Sequence, residues 1–289
     1  MLKRCLLLGL CALLASCSAV KTGYRMADWW IAWTVDDYVR WDAVQQRRFD
    51  AELHALLDWH QRTQLPRYRD WFLSLRAELR QPVSIARLQV RGAEVEGFAR
   101  DIAVQALPAA ARLLASLSAE QRAELARALA KQQKKLAREY LKQSDVRRTK
   151  QRMKTLVSNL QRFTGRLNGE QRALIRAWAG ERGGATALWL ANRQQWIEQF
   201  LSAVNTHRDA AGLEQALYPL FVDPQTLHSQ TYGQALAASQ QRLYALLAEL
   251  HASGTDQQRE RLDANLGKWA RWMEELAQER LRPDLAHAP

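Results

Sequence analysis

Apolar residues along most of this chain recur every three or four positions, the spacing that places them on one face of an α-helix. Two clear examples are Phe49, Leu53, Leu56 and Leu57, and further on Leu262, Leu266, Trp269, Met273 and Leu276. Ala and Leu are abundant, whereas the β-branched residues typical of sheets are scarce. We therefore predict an all-α fold, an elongated helical bundle with long antiparallel helices.

Breaks in the pattern predict where helices end. Ser84 is a cap residue, so a helix is expected to begin there and to end near Pro108. The stretch between Pro108 and Gly165 contains neither Pro nor Gly, which predicts one very long central helix from Ser118, roughly 70 Å in length at 1.5 Å per residue. The alternative is a turn at Ser144, because the surrounding residues are almost entirely polar.

The last two helical patterns are expected to pair. Their apolar faces contain Leu236, Leu243, Leu247 and Leu250 in the first helix, and Leu262 to Leu276 in the second. A short segment with Gly254 separates them. This arrangement predicts an antiparallel helical hairpin.

The first seventeen residues follow another pattern. Lys3 and Arg4 precede the apolar run Leu6–Leu14, which ends in Leu14-Ala15-Ser16-Cys17. A membrane-spanning helix needs about 20 apolar residues, so this run predicts an export signal that is removed. The ending resembles the bacterial lipobox, which implies a signal peptide at 1–16 and a covalent lipid on Cys17. The alternative is an ordinary secretory signal with an incidental cysteine.

The same resemblance predicts the location and domains. Ser18 is not the aspartate associated with inner-membrane retention, which implies an anchor in the cell outer membrane facing the periplasm. Residues 17–25 would be a lipidated tether, spanning about 25 to 30 Å if extended. Gly183-Gly184 predicts a boundary between an N-terminal helical half, 26–182, and a C-terminal half, 183–282, before a disordered tail, 283–289.

Aromatic residues follow the tether directly. Trp29, Trp30 and Trp33 lie at helical spacing and are candidate membrane-interface residues, because Trp favours the boundary between lipid and water. Burial of these rings in the protein core is the alternative, because Trp is also a favoured core residue.

The net charge is +12 for the whole chain, and it falls to +10 when Lys3 and Arg4 are removed. Ten Lys or Arg residues against two acidic ones lie between Lys131 and Lys154. From this run we select a candidate binding surface: Arg138, Lys142, Arg147, Arg148, Lys150, Arg152 and Lys154. Export excludes nucleic acid as a partner, and leaves anionic lipid, lipopolysaccharide, an envelope protein or acidic unfolded clients. The alternative is the solvated face of a long helix.

A capping signature occurs four times, with a cap residue followed three positions later by Gln. The pairs are Asp42 and Gln45, Ser118 and Gln121, Asn168 and Gln171, and Thr255 and Gln258. Each predicts a capping box. Those led by Leu117 and Leu167 resemble the Leu-Thr-x-x-Gln signature of Spy/CpxP-type periplasmic chaperones, although Thr is missing. The unequal spacing of the four caps excludes a regular solenoid and permits two similar halves.

Two further stretches carry a family resemblance: Asp36–Val39, and Trp59-His60-Gln61-Arg62-Thr63-Gln64-Leu65-Pro66-Arg67-Tyr68. They resemble an uncharacterised family of Gram-negative envelope lipoproteins, known as a domain of unknown function. The resemblance implies a lipoprotein with an all-helical fold and implies no catalytic or binding residues.

The motifs of common enzymes are missing from the sequence. It has no Gly-rich phosphate loop, no Gly-x-Ser-x-Gly motif and no Cys/His metal spacing. The remaining candidates are a weak metal site at His54, Asp58 and His60, and carboxylate pairs at Asp36-Asp37 or Glu94/Glu96 for cutting glycan. We expect no enzyme activity, no metal and no cofactor apart from the lipid on Cys17. The expected role is binding or chaperoning, and the alternatives are an adaptor of an envelope machine and, less favoured, a peptidoglycan-acting enzyme.

Overall fold

The computed structural model describes residues 19–180 and 185–279 of the 289-residue chain. All secondary-structure elements within those residues are helices, and none is a β-strand, which confirms the predicted all-α fold. None of the helices in this part of the chain is long and apolar enough to cross a membrane. Cys17, the predicted signal, the Gly183-Gly184 boundary and the tail 283–289 lie outside the described residues.

The helices are, in chain order, α1 (Ala19–Arg25), α2 (Ala27–Asp36), α3 (Ala43–Trp59), α4 (Leu65–Glu78), α5 (Ile85–Ala115), α6 (Ala119–Leu141), α7 (Asp145–Thr164), α8 (Gly169–Gly180), α9 (Ala185–Thr206), α10 (Ala210–Phe221), α11 (Gln230–Ala252) and α12 (Asp256–Gln278). A π-helical turn, His60–Gln64, joins α3 to α4, so Pro66 follows a widened turn instead of breaking the helical path. A 3₁₀ turn, Pro224–Leu227, precedes α11.

The expected extended tether is helical where it is described. Ala19–Arg25 forms α1, which is held against the end of α12 by ion pairs from Lys21 to Glu275 and from Arg25 to Glu279. A seven-residue helix spans only about 10 Å. The packed part of the protein therefore begins at Ala19, whereas an extended segment over residues 17–25 would place it farther from the anchor proposed at Cys17.

The long central helix of the fold is α5, with 31 residues and a length of about 46 Å. Its expected end near Pro108 was wrong, because the helix continues to Ala115. Proline removes one backbone hydrogen bond, but Leu107 and Ala111 on either side of it are buried in the core with Leu213 and other residues of α10. Tertiary packing therefore outweighs the helix-breaking preference.

The segment from Ser118 to Phe163 is two helices, as the alternative interpretation proposed. The side chain of Ser144 accepts a hydrogen bond from the backbone N–H of Arg147 at 3.3 Å and so begins α7. The helix is interrupted at 142–144, and we call residues 138–147 around this break the α6–α7 tip.

The four predicted capping boxes are all present, and they associate in two pairs. In each box the Gln side chain accepts from the cap's backbone N–H, and the cap side chain accepts from the Gln N–H. Gln45 and Gln121, the first glutamine pair, also exchange side-chain hydrogen bonds of 3.1 and 2.6 Å. Gln171 and Gln258, the second glutamine pair, exchange two bonds of 2.9 Å.

Each of the four glutamines also makes a hydrogen bond to a backbone carbonyl at an equivalent position. Its Nε2 donates to the carbonyl that lies two residues before the cap of its partner, on Ser116, Arg40, Ser253 and Arg166. The two pairs are therefore equivalent in geometry, with separations of 76 and 87 residues between their members. They lie near opposite ends of α5, because Ser116 follows it directly and His251, beside the second pair, bonds to Leu79 just before it.

The predicted hairpin of the last two helices was wrong beyond its turn. Among the described residues, α12 packs along α4, whereas α11 packs against α5, α8 and α9. A periodic apolar face shows that a helix has a buried side but does not specify the partner. The faces that were expected to meet diverge from Gly254 and border a common space.

Candidate functional site

The predicted basic surface is divided by the structure. Arg138, Lys142, Arg147, Lys150 and Lys154 are exposed, and none of them pairs with a described carboxylate. They lie on the α6–α7 tip and the first turns of α7, and they give this part of the chain an excess of exposed positive charge.

The other two predicted residues have structural contacts. Arg148 pairs with Asp145 and donates to the carbonyls of Tyr140 and Gln143, at 2.9 and 2.5 Å, so it holds the turn together. Arg152 donates to the carbonyl of Ala179 at 2.9 Å near the end of α8. Burial, followed by the nearby charge of Arg148, lowers the pKa of Arg152.

Apolar side chains at the same tip were missed in the sequence analysis. Val146 is 79% exposed and Leu141 is 56% exposed, and Tyr140 beside them contacts the ring of Trp189 at 5.5 Å. The sequence does contain a sign of them, because these apolar residues stand in an otherwise polar stretch. The α6–α7 tip is therefore both basic and apolar.

Trp29, Trp30 and Trp33 lie on the surface of α2. Their exposed fractions are 51%, 48% and 53%, and the rings of Trp29 and Trp33 stack with a 4° interplanar angle. The opposite side of α2 packs through Ala32 and Val35. The three rings form a surface aromatic cluster.

An apolar site between the helices was not predicted from the sequence. It is an apolar cavity of about 400 Å³, bounded by α4, α5, α7, α11 and α12. Leu75, Leu160, Leu247 and Leu262 come from four different helices, and each is only partly buried because it faces this space. An apolar occupant would remove the side chains of the cavity wall from water. The cavity is partly open, which gives an occupant a way in.

The polar groups around the cavity differ in availability. Arg91 is 7% exposed and fully engaged, because it contacts Glu78, Glu94 and Ser74 at 2.6, 2.9 and 2.8 Å. The ion pairs with Arg91 and Arg87 lower the pKa of Glu78 in spite of the opposing effect of its burial, which is the largest single influence on it. Arg259 is exposed, and its one described hydrogen bond goes to a backbone carbonyl, at 3.4 Å. It is therefore the available cation of the cavity.

Gly92 explains how α5 and α11 approach each other beside this cavity. A Cβ added there would lie 1.9 Å from the hydroxyl oxygen of Tyr244. The second glutamine pair lies at the other side of the cavity and fixes the start of α12. The walls are thus set by close helix packing and by hydrogen bonds.

Several of the candidates for metal binding and for glycan cleavage have other contacts. The two ring nitrogens of His60 lie 3.0 and 3.3 Å from the hydroxyls of Tyr24 and Tyr68, and burial lowers its pKa. Glu94 binds Arg91 and Trp71, and Glu96 accepts from Gln240. Within residues 19–180 and 185–279 no group of three His, Cys, Asp or Glu side chains is placed to hold a metal ion.

These features define an all-α helical bundle with an internal apolar cavity and a basic, apolar-ended tip. The chain belongs to a family of unknown function (DUF6279), whose model matches residues 37–233. The predicted membership of an uncharacterised family is confirmed, and the stretch Trp59–Tyr68 lies within the match. No curated protein and no solved structure matches the chain.

Proposed function

We propose that this protein is a lipoprotein, anchored in the outer membrane through Cys17 and facing the periplasm, that binds another envelope component without catalysing a reaction. The lipobox-like ending of the first seventeen residues supports the anchor. The observation that supports the binding role most directly is the composition of the α6–α7 tip.

The tip suits a surface that is anionic and has an apolar interior. The five exposed cations of the tip and the first turns of α7 would each contribute about 1 kcal/mol near an anionic lipid surface. Leu141 and Val146, at the end of the tip, would then leave water and enter the boundary between headgroups and acyl chains. Anionic phospholipid or lipopolysaccharide is therefore the preferred partner of this tip.

The anchor is tested by labelling cells with radioactive palmitate. We expect label in the full chain and none in its Cys17→Ser variant, with the parent protein in the outer-membrane fraction. Unlabelled parent protein in the cytosol would contradict the proposed location.

The tip is tested with the full chain carrying Cys17→Ser and vesicles that contain or lack phosphatidylglycerol. We expect salt-sensitive binding to the anionic vesicles only. Reversing Lys142, Arg147 and Lys150 to Glu should reduce binding at least tenfold, which corresponds to about 1.4 kcal/mol. Arg148 and Arg152 are left unchanged because their side chains donate hydrogen bonds to backbone carbonyls and so have structural roles. The matched control reverses Arg47 on α3, Arg127 on α6 and Arg208 between α9 and α10, which are exposed and lie outside the tip. Equal losses in both triple variants would show that only net charge matters.

A chaperone role is the second candidate, favoured by the two capping boxes led by Leu117 and Leu167, which resemble the Spy/CpxP signature. It predicts that the same protein suppresses aggregation of a reduced model client at stoichiometric ratios. Absence of suppression over a range of salt concentrations would remove this candidate and leave lipid binding untouched. An adaptor of an envelope machine would instead be recovered from cells with one stable partner.

A further inference from the structure

We propose that the cavity between α4, α5, α7, α11 and α12 binds the acyl chain of a single-chain anionic lipid, and that Arg259 pairs with the anionic head of that lipid. This inference does not depend on the α6–α7 tip, which is a separate surface.

Volume and lining together indicate the class of ligand. An apolar cavity of about 150 Å³ already accommodates a benzene-sized molecule, and this one is about 400 Å³. Ligand sites generally have volumes of about 300 to 1,000 Å³ and a few polar groups that fix orientation. The exposed surface of this cavity is almost entirely apolar, so a sugar, a nucleotide or a peptide backbone would lose its hydrogen bonds on entering.

Several side chains of the cavity wall are only partly buried by the rest of the protein. Leu247 on α11 and Leu262 on α12 belong to faces that diverge from the turn at Gly254. Leu75 on α4 and Leu160 on α7 form two further sides. An acyl chain would supply the apolar contacts that the two diverging helices do not give each other.

The charge at the cavity indicates an anionic head. Arg91 is neutralised by Glu78 and Glu94 and cannot accept another anion without losing one of them. Arg259 lines the cavity, is exposed, and has no carboxylate within ion-pair distance among the described residues. The carboxylate of a fatty acid or the phosphate of a lysophospholipid would each pair with Arg259, so these two lipids share the required chemistry.

The test uses the full chain with Cys17→Ser, which removes the sulfur predicted to carry a covalent acyl group. A dansyl-labelled undecanoic acid serves as the fluorescent probe, and it is displaced by palmitate, lysophosphatidylglycerol, monopalmitoylglycerol or butyrate. We expect saturable binding of the probe and displacement by the first three compounds but not by butyrate. Stronger displacement by palmitate identifies a free fatty acid as the source of the acyl chain, and stronger displacement by the lysolipid identifies a phospholipid.

Two substitutions separate the tail from the head. Arg259→Glu should weaken palmitate by at least about tenfold and change monopalmitoylglycerol by less than about threefold. Leu160→Trp fills the cavity, so it should weaken all acyl ligands by at least about tenfold while raising the thermal midpoint. The controls are Arg127→Glu and Val44→Trp, at exposed positions on α6 and α3.

Several results would overturn the proposal. They are probe binding that does not saturate, displacement by butyrate, and acyl binding that Leu160→Trp leaves unchanged in a folded protein. If Leu160→Trp does not fold, Leu262→Phe adds a smaller ring to the same space, and unchanged binding by that variant has the same meaning. Loss of vesicle binding by the tip variant with normal probe displacement would count against the tip alone.

Discussion

Replacing Gln171 with leucine tests whether the glutamine pairs hold this fold together. Gln171 is 1% exposed, and its side chain makes four hydrogen bonds: two with Gln258, one from the N–H of Asn168 and one to the carbonyl of Ser253. Leucine has a similar volume and none of these bonds. At about 0.5 to 1.5 kcal/mol for each bond, and with some apolar gain from leucine, we expect a loss of about 3 kcal/mol in the free energy of unfolding.

The assay is urea unfolding followed by far-ultraviolet circular dichroism, using the full chain with Cys17→Ser as parent. Gln194→Leu is the control, because Gln194 is exposed on α9 and its side-chain hydrogen bond within the described residues goes to Glu198, one turn away. It should change the unfolding free energy by less than about 0.5 kcal/mol.

A double-mutant cycle sharpens the test. Once Gln171 is leucine, Gln258 has already lost its partner, so Gln258→Leu should cost less than it does alone. The expected coupling is at least about 1 kcal/mol within a pair. Gln45→Leu belongs to the other pair and shares no partner with Gln171, so these two losses should add. A cost below about 1 kcal/mol for Gln171→Leu, or additive losses within the pair, would refute the reasoning.

Three further predictions concern other parts of the structure. A hydrogen bond from Arg76, the largest influence, lowers the pKa of Asp263. The contribution of Asp263 to stability is therefore present above the unfolded pKa of 3.8 and is lost as the pH falls through the lower folded pKa. Asp263→Asn should reduce the free energy of unfolding by on the order of 1 kcal/mol at pH 7, and its difference from the parent should vanish in acid. Burial lowers the pKa of His60, so as the pH falls His60 is protonated at a higher pH in the unfolded chain than in the folded protein. The free energy of unfolding should therefore decline as the pH falls below 6.5. Urea unfolding at several pH values should show a smaller decline for His60→Gln. Trp33→Ala should change stability by less than about 0.5 kcal/mol because its ring is half exposed, whereas Trp272→Ala, at a ring 9% exposed, should cost about 3 to 5 kcal/mol by thermal unfolding.

Local features of this fold were predictable from sequence because they depend on neighbouring residues. Ser118 and Gln121 need only three residues of spacing to form a capping box, and the box is present. The association of that box with the one at Asp42 was not predictable, because it depends on how α5 carries the chain from one pair to the other. The helical pattern likewise identified the leucines of α11 and α12 but not their partners.

The candidate sites show the same limit. The basic residues of the α6–α7 tip were visible as a charge run, but their division into exposed and structural members depends on the turn at Ser144. The cavity has no motif at all. It arises because five helices meet without filling the space between them, and such a volume depends on packing at long range.

The two glutamine pairs have a consequence for the conditions under which this protein stays folded. Amide groups carry no charge, so acid cannot titrate them and dissolved ions cannot screen them. The contacts at both ends of α5 should therefore persist in acidic or saline surroundings that weaken ion pairs such as Arg76–Asp263. A fall in pH or a rise in ionic strength would then loosen the surface of the bundle before its two junctions.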